Sequence, residues 1–367
     1  MRIAMICREM PPVGGGAGAV ALQLARQLVV AGHEVVFFTM QYGDQSAHES
    51  VHGVRIVRIP CGRRNITSAR TIEMLRFLIS TRRKLRSEHS NKPFDVVHAH
   101  SILPEGAALF LHEPRARTVI TAHGSDVPGY NPDRYELLHR AVARWWRAVL
   151  ERADVVTAPS EFLAGLIRQA SPNRDVIVIP NGINADLFAE RDARDGVLIV
   201  ARLVPRKNVD IILEALRELP ATRVDIVGDG PQLSRLQILA ANLDHHDIRF
   251  HGWLGHGSRE WRNLYERSRF FVFMSSQENF PVNLLEAQLA GLVTIASDIP
   301  SNREVLGNDA EFVAIDAKSL QRRLLHLMSE PVEKLVERQR RARDRVRKHF
   351  LWPFVGEKFV QVYEPGA

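Results

Sequence analysis

Short apolar runs alternate with glycine turns and helical periodicities along most of this chain, and that alternation constrains its fold more than any other feature. Arg2–Cys7, Glu34–Thr39, Val54–Ile59, Val96–Ala99, Thr118–Thr121 and Val155–Ala158 read as strands. Val20–Val30, closed by Gly32, reads as an amphipathic helix, and Arg140–Leu150 and Glu161–Gln169 as further helices. A second series starts near Gly196, with strands at Val197–Val200, Arg223–Val227, Ile248–Phe250, Phe270–Phe273 and Val293–Ala296 and a helix at Val209–Leu216. Strands that alternate with helices predict parallel sheets covered by helices. Ile179-Pro180-Asn181-Gly182 gathers chain breakers between the two series and reads as a linker. The expected fold is α/β, with two doubly wound domains, 1–180 and 181–349, and a cleft between them. The length of 367 residues agrees, at roughly 150 residues per domain.

Composition removes several classes. A hydrophobic fraction of 45% and a charged fraction of 25% exclude a disordered chain, a collagen repeat and a coiled-coil rod. Cys7 and Cys61 are the 2 cysteines and form no paired motif, which excludes a disulfide scaffold and a four-thiolate zinc site. No window approaches the roughly 18 apolar residues of a membrane span. The apolar N-terminal run meets Arg8 and Glu9 too soon for a signal-peptide core, so a reducing cytoplasm is the expected compartment. The net charge of +7 suits a polyanionic ligand or an anionic membrane surface, and equally an arginine-rich surface that keeps the chain in solution. No nucleic-acid motif accompanies the charge, so no nucleic acid is expected as a partner.

Gly14-Gly15-Gly16-Ala17-Gly18-Ala19 admits more than one reading. A dinucleotide fingerprint wants its first glycine directly after the first strand and an acidic residue near the end of the second. Here Arg8–Val13 intervenes and Asp44 comes late. A glycine loop entering a helix also exposes backbone N–H groups as an anion site. A plain flexible turn would use the same glycines.

Further features converge in the second series. Arg202 ends a strand, and Lys207 precedes Asn208, which reads as the N-cap of the next helix. Two cations at a strand's carboxyl end suit a diphosphate, arginine as a fork of donors and lysine as a point charge; solvated loop cations are the competing reading. Glu278 and Glu286 bracket a stretch in which Pro281 fits a first helical turn and Gly291 the end. Val282, Leu285 and Leu289 share a core face with Glu286 beside it. A carboxylate there is costly unless it accepts hydrogen bonds, from ribose hydroxyls or from a local salt bridge. Gly228-Asp229-Gly230-Pro231 reads as a structural turn.

Arg202 with Lys207, and Glu278 with Glu286, resemble the signature of retaining glycosyltransferases of the GT-B fold, family 4 (glycosyl transferases group 1). Gly15-Gly16 with Gly32-His33-Glu34-Val35, then Asp95–His100, Thr121–Asp126 and Ile179–Gly182 resemble that family's motifs in order. Phe350-Leu351-Trp352 resembles the start of the terminal helix, which in that fold returns to the N-terminal domain, over about 350–367 here.

The resemblance implies two Rossmann-like domains, the C-terminal one binding a nucleotide-diphosphate-sugar donor. It gives catalytic roles to His123, beside the reacting sugar, and Glu278, on its hydroxyls. Arg202 and Lys207 would hold the diphosphate, Glu286 the ribose, and Gly15 and Gly16 would approach from the N-terminal domain. Phe280, Val282 and Asn283 complete the expected donor set. Many relatives have Gly-Phe-Gly after the first glutamate; here Asn279-Phe280-Pro281 removes one backbone donor and leaves the amides of Val282 and Asn283. Retention without a covalent intermediate, and no metal or other cofactor, are expected. The histidine pairs His98/His100 and His245/His246 lack spaced carboxylate or thiolate ligands for a metal.

The acceptor, a glycan, a lipid-linked or a small molecule, is expected on the N-terminal domain, near His100, Ser101, Asp126, Tyr130 and Arg134. A basic stretch with Arg82, Arg83, Lys84 and Arg86 follows an apolar stripe of Ile72, Leu75, Phe77, Leu78 and Ile79. It would dock on anionic lipid at the inner membrane face, or pack on the sheet with a solvated basic side. A GT-B nucleotide-sugar epimerase and a catalytically silent sugar-nucleotide-binding protein are the alternatives.

Overall fold

The computed structural model describes residues 1–66, 68–111, 116–189 and 194–364, with the backbone alone for 110, 111 and 132–135. The chain begins β1 (Arg2–Ile6), α1 (Gly16–Val30), β2 (Glu34–Tyr42), β3 (His48–Val51), β4 (Val54–Arg63), α2 (Thr71–Asn91) and β5 (Val96–Ala99). A 3₁₀ turn at Glu105–Leu111 leads to β6 (Arg117–Thr121), α3 (Pro132–Arg152), β7 (Val155–Ala158), α4 (Glu161–Ala170) and β8 (Ile177–Val178). Next come β9 (Asp195–Val200), α5 (Val209–Leu216), β10 (Arg223–Val227), α6 (Leu233–Ala240), β11 (Asp247–Gly252), α7 (Arg259–Arg267) and β12 (Ser268–Phe273). The chain closes with α8 (Val282–Ala290), β13 (Val293–Ser297), α9 (Pro300–Leu306), β14 (Glu311–Val313), α10 (Ala317–Met328), α11 (Val332–His349) and α12 (Trp352–Tyr363).

These elements form two compact units. The first holds Met1–Asn181 and the chain from Trp352 onward; the second holds Gly182–Leu351. Strand order in the first is β3-β4-β2-β1-β5-β6-β7-β8, and in the second β11-β10-β9-β12-β13-β14. Every pairing is parallel except β3 with β4. Both sheets reverse direction of growth at their first strand, β1 or β9, so each has a topological switch point at that strand's carboxyl end.

β1 and β5 are buried along their whole length, β1 through Ile3, Ala4, Met5 and Ile6. This is why they read as continuous apolar runs rather than alternating ones. β3, β8 and β14 escaped the sequence reading because they are short and lie at sheet edges, β3 and β14 carrying polar residues and β8 being only two residues long.

α12 closes one face of the first sheet. Trp352, Val355, Phe359, Val362 and Tyr363 recur at helical spacing and join the core formed by α1 and β1. Gly356 lets it approach α1: a Cβ there would lie 3.3 Å from that of Gln27. The Tyr363 hydroxyl ends this contact on His98 Nδ1 at 2.7 Å.

Candidate active site

The second unit brings Arg202, Lys207 and Glu278 to its switch point. Arg202 lies just past β9 and is exposed. Lys207 follows in a 3₁₀ turn and forms an ion pair with Glu278, from the loop after β12. Its ammonium also lies over the Phe273 ring, 4.8 Å from the centroid. Asn208 sits at the start of α5 in the left-handed region, φ 50°, ψ 41°, and its side chain caps nothing there. Nδ2 instead donates to the Met274 carbonyl at 2.8 Å. The Ser276 amide in turn donates to the Arg206 carbonyl at 2.8 Å, so the loops after β9 and β12 are latched together. Gly228 and Gly230 are glycines because the loop after β9 lies against them: a Cβ would stand 1.9 Å from Ala201 O and 2.4 Å from Leu203 O.

Glu286 is buried on α8 and both of its oxygens are engaged. Oε1 accepts from His256 Nε2 and Oε2 from the Tyr265 hydroxyl, each at 2.9 Å. That carboxylate raises the His256 pKa through the hydrogen bond. Burial, then the same carboxylate, keeps Tyr265 protonated well above its ordinary range. Tyr265 is stiffened by Trp261 and Phe188, at centroid distances of 4.5 and 5.0 Å. Each carboxylate oxygen retains a further lone pair for a ligand hydroxyl.

Some donor-side expectations change. α8 is buried all round from Leu284 to Ala290, so no apolar stripe distinguishes one of its faces. Phe280 packs into the core with Phe350, centroids 6.0 Å apart, and its ring serves the fold. The Asn283 side chain donates to Val200 O at 2.9 Å, which leaves its backbone rather than its amide group for a ligand.

The first unit places the glycine loop after β1, His100 after β5 and His123 after β6. Glu9 already uses the loop: its Oε2 accepts from the Gly15 amide at 2.8 Å. Gly14 and Gly18 admit Glu9, since a Cβ would lie 2.5 Å from its Cβ at the former and 2.6 Å from its carbonyl oxygen at the latter. Around Gly16 there is open space. Arg8 Nη1 donates to both oxygens of buried Glu105, at 3.0 and 2.8 Å, and Glu105 Oε1 also accepts the Arg8 amide.

The acceptor-side expectations also change. The Ser101 hydroxyl donates to Glu105 and is buried. Asp126 is buried and accepts backbone amides: His123 N at 3.1 Å and Gly124 N at 2.9 Å on Oδ1, Ile102 N at 2.7 Å on Oδ2. It clamps the loops after β5 and β6 together. Tyr130 is buried against Gly124. The Arg134 side chain lies outside the described residues.

His100 and His123 do meet, Nδ1 to Nε2 at 3.1 Å. Burial holds the His98 pKa down to about 3 and that of His123 to about 4, and lowers that of His100 strongly, so all three are neutral. His98 spends both nitrogens on hydroxyls, Tyr363 and Thr121, and His246 spends both on the backbone of Leu216 and Thr222. No cluster that could hold a metal ion occurs among the described residues.

Sequence reasoning missed Arg8, Glu9, Glu105, His256 and Tyr265. Arg8 and Glu9 had one signal, charge directly after a buried strand; the others meet their partners only through the fold.

Comparison with known proteins follows the same division. Residues 14–187 match Glycosyltransferase Family 4, and residues 187–349 match Glycosyl transferases group 1. A glycogen synthase of Mycobacterium tuberculosis is 29% identical over 396 residues, covering 99% of this chain and 94% of its own. A phosphatidyl-myo-inositol mannosyltransferase of the same species is 28% identical over 392 residues, covering 100% and 97%. A sucrose-phosphate synthase structure from Thermosynechococcus elongatus superposes with a TM-score of 0.84 at 21% identity, covering 99% and 98%.

Proposed function

The chain belongs to the GT-B glycosyltransferases of group 1 and uses a nucleotide-sugar donor, and from that membership we propose a retaining, metal-independent transfer to a lipid-linked acceptor. The observation that carries the donor site is the convergence of Arg202, Lys207 and Glu278 at the switch point of β9 and β12. In this reading Arg202 and Lys207 hold the diphosphate and offset the charge that develops as it leaves. Glu278 accepts from the sugar's hydroxyls, and Glu286, oriented by His256 and Tyr265, accepts from the ribose. The bond from the anomeric carbon to the diphosphate oxygen breaks, and the acceptor oxygen joins that carbon on the same face. The acceptor's proton passes to the departing phosphate. The cations on the protein make a bound metal unnecessary in this scheme.

A thermal-shift panel of UDP-, GDP-, ADP- and dTDP-sugars, with EDTA present, tests the donor site. Selective stabilisation by one donor is expected. No shift at millimolar concentration with any of them overturns the assignment. Anomeric configuration of the product, read by NMR, tests retention.

The lipid-linked acceptor rests on the surface of the first unit. α2 buries Glu73, Phe77, Thr81 and Leu85 and leaves Ile72, Leu75 and Ile79 half-exposed on its other side. Arg82, Arg83 and Arg86 continue that exposed side at helical spacing. α3 adds Leu137 at 82% and Trp145 at 71% exposure, with Arg140 and Arg144 beside them. Apolar side chains rimmed by arginine suit an anionic bilayer at the cytoplasmic side. No helix among the described residues is long and apolar enough to cross a membrane. Flotation with anionic but not zwitterionic liposomes at low salt is expected; flotation with neither ends the membrane reading and leaves the donor reading standing.

A further inference from the structure

We propose that His100 is a positioning residue: it donates from Nδ1 to His123 Nε2 and thereby fixes His123 as the neutral Nδ1–H tautomer. His123 then offers substrate an uncharged N–H donor, and neither a base nor a cation. The proposal rests on the glycosyltransferase reading only for the identity of that substrate.

The neighbouring hydrogen bonds set the directions. The Tyr363 hydroxyl has one hydrogen-bond partner among the described residues, His98 Nδ1, so it donates there. His98 therefore carries its proton on Nε2 and donates to Thr121 Oγ1 at 2.7 Å. Thr121 Oγ1 is in turn hydrogen-bonded to Thr157 Oγ1 at 2.6 Å. With its nitrogens spent, His98 offers His100 ring contact only, at a centroid distance of 4.2 Å.

His100 is buried, and its Nε2 has no hydrogen-bond partner among the described residues. One of its two neutral tautomers would strand an N–H donor at that position. The other leaves a bare lone pair. A stranded buried donor is the rarer and costlier arrangement, so the proton belongs on Nδ1. Nδ1 faces His123 Nε2 at 3.1 Å, with the ring planes within 22° of parallel and the centroids 5.4 Å apart. His123 Nε2 must accept, and its remaining proton sits on Nδ1, which has no hydrogen-bond partner among the described residues. Asp126 holds the geometry by accepting the amides of Ile102, His123 and Gly124. Free imidazole side chains prefer the opposite tautomer, so the contact with His100 has a consequence that can be measured.

The test is two-bond ¹H–¹⁵N correlation on protein labelled at its histidine rings. The His123 signals are identified by their loss in His123→Gln. His123 is expected with protonated Nδ1 and bare Nε2 across neutral pH. His100→Asn places an amide donor where Nδ1 stood; His100→Gln places it where Nε2 stood. The Asn variant is expected to keep the tautomer and turnover within a few-fold. His100→Gln and His100→Phe, which has no donor at all, are expected to lose the tautomer and about tenfold or more in kcat, with the donor KM unchanged. A protonated Nε2 on His123 in the wild-type protein overturns the proposal, as do Asn and Gln variants that behave alike. The ring signals need no turnover, so failure of the substrate reading and failure of the tautomer assignment are distinguishable.

Discussion

Lys207 and Glu278 are ion partners across the switch point of the second unit, with side chains 13% and 14% exposed. They sit 71 residues apart in sequence, yet one latch of backbone and side-chain bonds brings their loops together. The residue proposed to grip the diphosphate and the residue proposed to grip the sugar thus position each other. Lys207→Ala is expected to weaken donor affinity about 10- to 100-fold, through loss of a charge-assisted contact. Glu278→Gln should lower turnover more than nucleotide affinity. The double variant should lose less than the two single losses added, because each single change also frees the other side chain. Additive losses in calorimetry and kinetics would mean that the pair is incidental.

The glycine loop separates packing from ligand approach. Gly18→Ala forces a Cβ to 2.6 Å from the Glu9 carbonyl oxygen, so the start of α1 must shift and stability should fall by about 1–3 kcal/mol. Gly16→Ala meets open space and should melt with the wild-type protein. If Gly16 faces substrate, that same variant loses activity. A Gly16→Ala enzyme of full activity removes Gly16 from the site.

His256 carries a pH dependence of defined sign. Its pKa lies above the ordinary 6.5 because Glu286 bonds its charged form. The unfolded chain has the ordinary value, so the stabilisation is complete below about pH 6.5 and is lost as pH rises through the raised value. The melting-temperature gap between wild type and His256→Gln should therefore narrow from about pH 6 to about pH 8. A constant gap would show that the imidazole does not titrate against Glu286. Donor affinity should follow the same curve if Glu286 holds the ribose.

The buried histidines of the first unit act in the opposite sense. His98 titrates near 3 when folded and near 6.5 when unfolded. The unfolded chain binds the extra protons, so stability is complete above about pH 6.5 and falls as pH drops toward 3. Tyr363→Phe strips Nδ1 of its donor and should cost about 1–3 kcal/mol at neutral pH. Denaturant melts between pH 4 and 7 check both; a flat wild-type profile contradicts the buried neutral state.

Sequence alone determined the α/β class and most of the strands, because parallel strands buried on both faces must be written as unbroken apolar runs. It also displayed Arg202, Lys207 and Glu278, whose charges stand out beyond the ends of such runs, and Glu286, a carboxylate inside an apolar helix. It missed the antiparallel edge strand β3, where no core dictates composition. Tertiary structure alone decided what each polar group touches. Ser101 and Asp126 look like loop residues open to a ligand, yet Ser101 is consumed by Glu105 within its own loop and Asp126 by amides of its own loop and of the loop after β5. Glu286 finds His256 and Tyr265, and His98 finds Tyr363 from the far end of the chain. Burial is a local property that a single residue's chemistry reveals, whereas hydrogen-bond partnership at this range depends on where separate segments come to rest.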